Sequence, residues 1–74
     1  MVEVFKTNVQ DRDHAVILVD HIHQAFQGYR ANFDLEDCDK ILRVASTHEF
    51  IRASCLIKLL GEFGYEAEVL PDDF

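Results

Sequence analysis

The residues of this chain best suited to chemistry are metal ligands, hard carboxylates with one borderline imidazole and one soft thiol, and they are few. Asp11, Asp13 and His14 lie within four positions, where two carboxylates and an imidazole could hold a divalent ion. The same three suit the solvated first turn of a helix, since carboxylates are favourable at its positive end. Cys38, inside Glu36-Asp37-Cys38-Asp39, is a single soft ligand for a weakly bound transition-metal ion, one of a pair with Cys38 of a second molecule around a metal, or an exposed thiol with no role. His14 and His21 are seven residues apart, about 10 Å along a helix axis and too far for one ion. His21 and His23 point to different sides of a helix. No His-x-x-x-His pair is present, so a helical zinc site has no support. No Ser/His/Asp or Cys/His set with an oxyanion donor can be assembled. The chain names no catalytic residue, and the expectation is that it is not an enzyme.

Composition narrows the partners. Fourteen acidic residues against seven basic give a formal charge of −7, which disfavours nucleic acid and anionic membrane, where basic patches supply the attraction. A protein with a basic surface, or a cation, is the better electrostatic match. No apolar run approaches the roughly 18 residues of a membrane span. The N-terminus enters strand-like alternation without the basic and apolar regions of a signal peptide. Cys38 and Cys55 make no disulfide framework, so a reduced, cytoplasmic protein is expected. With 74 residues and 49% hydrophobic content, residues 1–74 form one small globular domain.

The elements that must position the candidate ligands follow from periodicity. Residues 1–8 alternate as a strand, with Val2 and Val4 on one face and Glu3 and Phe5 on the other. Asp11 is the expected N-cap of a helix over 12–26, where Ala15, Leu18, Val19, Ile22, Ala25 and Phe26 recur at helical spacing. Residues 29–35 alternate as a second strand, 36–39 turn, and 40–45 form a third. Ser46 and Glu49 have the spacing of a capping box for a second helix running to about residue 63. Gly64 stops it, and 65–70 alternate as a fourth strand before Pro71. The earlier run Phe26-Gln27-Gly28-Tyr29 has the same form as Phe63-Gly64-Tyr65, which implies two similar half-units. The order βαββαβ, with right-handed crossovers, makes an α+β ferredoxin-like sandwich: a four-stranded antiparallel sheet of order 4-1-3-2 with two helices on one face.

That connectivity gathers the 8–14 connector, the 36–39 turn and the exit near Tyr65 at one end. Two surfaces remain. The outward strand residues Glu3, Arg30, Asn32, Asp34, Glu66 and Glu68 would make an acidic sheet face without the stacked aromatics of an RNA-recognition domain. Ile51, Cys55 and Leu59 form an i, i+4, i+8 ridge. It is a partner surface if exposed and core if the apolar stripe is wide.

Across nearly its whole length the chain resembles the heavy-metal-associated domain of copper chaperones and metal-exporting ATPases. The resemblance is most specific from Leu56 to Leu70, through Gly64-Tyr65, and extends to Val19, Phe26 and Gly28-Tyr29. Family members bind metal through Gly-Met-Thr-Cys-x-x-Cys at the start of the first helix, where paired thiolates grip one soft ion. Counting thirteen residues back from Gly28 puts the two cysteine positions at Arg12 and Ala15, and neither is a ligand. Tyr65 takes the aromatic position that packs beneath the metal loop in ATPase-type members. The resemblance therefore implies the family scaffold without its two-cysteine site. The expected function is a non-catalytic binding module with a protein partner and no cofactor. The alternative is metal carriage by Asp11, Asp13, His14 and Cys38.

Overall fold

A computed structural model describes residues 1–36, 38–47 and 50–70. Six elements follow in the order β1 (Val2–Thr7), α1 (Arg12–Ala25), β2 (Tyr29–Asp34), β3 (Ile41–Ser46), α2 (Ala53–Glu62) and β4 (Ala67–Val69). The strands pair antiparallel in the order β2-β3-β1-β4, the expected 4-1-3-2 read from the opposite edge. Phe5, Leu42 and Val44 project from the sheet onto Leu18 and Ile22 of α1 and Leu56 and Leu60 of α2. All seven are at most 1% exposed, and their burial is the main attraction holding the helices on the sheet.

Register decides which face of β1 is inward. Phe5 pairs with Leu42 and Glu3 with Val44, so Glu3 shares the helix-facing side with Phe5, not the open side expected for it. Val4 pairs with Arg43, and Lys6 with Glu68, on the open face. That face is therefore mixed in charge instead of mostly acidic: Lys6, Arg30 and Arg43 stand among Asp34 and Glu68. Among the described residues it carries no aromatic ring.

The two helices end differently. In α2 the Tyr65 amide donates to Leu60 O and the Gly64 amide to Gly61 O, with Gly64 at φ +87°. This paired pattern is the Schellman stop, and it needs a residue free of Cβ strain. In α1 the extended Phe26 closes the helix, and Gly28 (φ +92°) sits third in a turn bridged from Tyr29 N–H to Phe26 O. The shared Gly-Tyr sequence thus serves a helix stop once and a β-turn once.

Two boundaries depart from expectation. Ser46 does not cap α2: it ends β3 opposite Tyr29 and its amide donates to Met1 O. Glu49, the other half of the expected box, lies outside the described residues. The helix begins instead at Ala53, with Arg52 at its cap position and no side-chain cap bond. The hydroxyl of Tyr29 does the equivalent work from the sheet, donating to Phe50 O and accepting from Arg52 N–H, each at 3.0 Å. β4 is also shorter than 65–70. The Tyr65 amide is taken by Leu60 O and the Glu66 amide by Asn8 Oδ1, so neither enters the ladder. Because Tyr29 is 6% exposed, Tyr29→Phe leaves two peptide groups short of a partner. It should cost about 1–2 kcal/mol in urea unfolding, with little change in the slope against denaturant.

Candidate functional site

The end of the sheet that holds the β1–α1 connector is built around Thr7 and Asn8. Thr7 N–H donates to Asp39 O at 3.1 Å, and its hydroxyl donates to Lys40 O at 2.5 Å while accepting from Val9 N–H at 3.3 Å. These bonds draw the β2–β3 turn against β1, and Lys40 takes φ +50° to follow. Lys40 Nζ then reaches Leu35 O at 2.9 Å across the same turn. Asn8 clasps the exit from α2: its amide donates to Glu66 O and its Oδ1 accepts from Glu66 N–H at 2.8 Å. Val9, fully buried, pins the connector from below. The three segments meet at one end, as connectivity required.

Two of the four candidate ligands at this end, Asp11 and His14, are engaged within the chain. Asp11 caps α1, its carboxylate accepting from Asp13 N–H at 2.8 Å. His14 Nδ1 is hydrogen-bonded to the Tyr65 hydroxyl, with the two rings tilted at a centroid distance of 6.0 Å. Asp13 and Cys38 are exposed, and Asp37 lies outside the described residues. Among the described residues no three His, Cys, Asp or Glu side chains converge where one ion could be held. Arg12 opens α1 at the junction with the β1 connector and lines a groove with Asp34, Leu35 and Glu36. Ala15 is buried one turn later. Both therefore stand in the first turn of α1, at the strand-to-helix junction.

Other histidines are likewise occupied by packing. His21 lies against Phe63 with ring centroids 4.7 Å apart, and His23 Nε2 accepts from Ala31 N–H at 3.1 Å. That bond requires the ring proton on Nδ1. The ridge Ile51, Cys55 and Leu59 is the broad side of the core stripe rather than an exposed surface. Ile51 is 8% exposed and precedes α2, and Leu59 packs on the core from a half-buried position. Cys55 is half-buried too. The outward face of α2 is polar, with Ser54, Lys58 and Glu62 exposed.

Three contacts escaped the sequence reading: His14 with Tyr65, His23 with Ala31, and Tyr29 with residues 50 and 52. The first has a signal, because connectivity sets Tyr65 at the same end as His14. The others depend on side-chain reach that no spacing encodes. No protein-family model, curated protein or solved structure matches this chain.

The His14–Tyr65 contact is exposed, so it contributes little. A double-mutant cycle with His14→Ala and Tyr65→Phe should give a favourable coupling of about 0.5 kcal/mol. Strictly additive effects in that cycle would mean that the hydroxyl is merely hydrated.

Proposed function

We propose that this chain is a non-catalytic protein-binding module of the heavy-metal-associated type, with the metal-gripping corner replaced. The observation that carries this reading is the occupancy of that corner. Arg12 and Ala15 stand at the strand-to-helix junction, and two neighbouring donors are engaged within the chain: Asp11 as a helix cap and His14 with the Tyr65 hydroxyl. A guanidinium is a fixed cation that repels a metal ion and offers it no lone pair. The scaffold of the resembled family is kept while its ligands are gone, which favours binding over transport or catalysis.

Charge favours a basic protein surface as the partner. Asp11, Asp13, Glu36 and Glu66 are exposed around the same end, on a chain with a formal charge of −7. Such a surface speeds encounter with a positively charged partner in a salt-dependent way. The open sheet face has, among the described residues, no ring for base stacking, which disfavours nucleic acid. Among the described residues no helix is long and apolar enough to cross a membrane. The unpaired Cys38 and Cys55 fit a reduced, cytoplasmic setting.

Titration of the purified protein with copper(I), in competition with a chelator, tests the reading. The expected result is no one-to-one complex at sub-micromolar metal. Stoichiometric sub-micromolar binding, abolished by His14→Ala, would establish metal carriage through unusual ligands instead.

A further inference from the structure

β2 is an edge strand, paired with β3 on one side alone. Along its free side runs a groove of about 380 Å³, bounded by Ala15, Val16 and Val19 of α1 and by Phe33 and Leu35. Val16 is 63% exposed, a β-branched apolar side chain that the fold leaves bare. The Ala31 amide, bonded to His23, points away from β3. Strand alternation turns the Phe33 amide the same way, so Ala31 and Phe33 present their peptide groups to the open edge.

On the opposite face β2 carries Arg30, Asn32 and Asp34, all exposed. Arg30 and Asp34 are equally spaced about Asn32 and opposite in charge. Neither takes part in an ion pair among the described residues. Consider a second β2 laid antiparallel to the first with Asn32 opposite its own copy. Arg30 then faces Asp34 of the copy twice, by symmetry. Ala31 faces Phe33, the residues whose outward amides and carbonyls exchange hydrogen bonds. Arg30 and Asp34 fall at the non-hydrogen-bonded positions, where cross-strand side chains approach most closely. Symmetric registers centred one residue to either side lose this match, setting Asn32 against Arg30 or against Asp34.

We propose that this chain pairs with a second copy of itself through β2, fusing two four-stranded sheets into one of eight strands. The proposal goes beyond the binding role above and does not depend on it. The like net charges of the two copies repel, but that repulsion is screened beyond a Debye length of about 8 Å at physiological salt, whereas Arg30 and Asp34 meet at contact. Exposed ion pairs are weak, so they select the register. The attraction comes from strand pairing and from covering Val16, Val19 and Phe33. His23 is the gatekeeper, because its ring must leave the Ala31 amide before a strand can take it.

Sedimentation velocity over a concentration series tests this, with circular dichroism to establish that each variant is folded. The wild type is expected to dimerise reversibly, and His23→Ala to dimerise more tightly. Arg30→Asp and Asp34→Arg each turn two attractive appositions into two repulsive ones, and each should weaken the dimer by about tenfold or more. Combining them restores opposite charges and should recover association to within about threefold of wild type. Two results would overturn the proposal. One is a chain that stays monomeric in both wild-type and His23→Ala forms, which would leave the groove to a foreign extended peptide. The other is a charge-swapped double variant as weak as the singles. Neither result bears on copper(I) binding, so the two readings fail separately.

Discussion

Thr7 is the knot at which this fold is tied. It is 7% exposed and uses its amide and both roles of its hydroxyl on segments far apart in sequence, Asp39 and Lys40 on one side and Val9 on the other. A buried hydroxyl without partners would be costly. With its hydroxyl bonded twice and its amide once, Thr7 fixes the β2–β3 turn, the end of β1 and the approach to α1 relative to one another. Asn8 extends the knot to Glu66, so the exit from α2 is held by the residue next in line. Of the candidate ligands at this corner, Asp11 and His14 are likewise drawn into bonds within the chain.

Much of the fold could be seen in the residues themselves. The alternation of Tyr29, Ala31 and Phe33 with Arg30, Asn32 and Asp34 predicts both the strand and its buried face, and the burial of β2 follows it. The N-cap at Asp11 and the glycine stop at Gly64 are local devices, legible because each acts within a few residues. The errors arose where a distant partner decided. Ser46 and Glu49 have the right spacing for a capping box, but Ser46 finds Tyr29 across the sheet and the strand ends one residue later than its alternation suggests. Glu3 has apolar neighbours on both sides, so only pairing with Val44 shows which way it points.

The candidate site was legible in outline rather than in detail. Connectivity alone gathers the three loops, and counting from Gly28 sets Arg12 and Ala15 at the helix start, where they are found. What the chain could not disclose is commitment. Whether Asp11 is a ligand or a cap, and whether His14 is open or engaged by Tyr65, turns on angles and reach set by tertiary packing. The ridge of Ile51, Cys55 and Leu59 was balanced between surface and core for the same reason. A helical wheel gives direction but not the width of what lies opposite.

The brevity of β4 has a consequence for assembly. An antiparallel sheet with two long free edges can go on accreting strands until it becomes a fibre. Among the described residues the strand on one flank runs only over Ala67–Val69, a short row of peptide groups for a further strand, and the other is six residues long. Recruitment is therefore confined to one flank, and a partner seated there uses up the last long edge. A pair formed along β2 would therefore stop at two, a discrete particle where a symmetric sheet of the same size would polymerise.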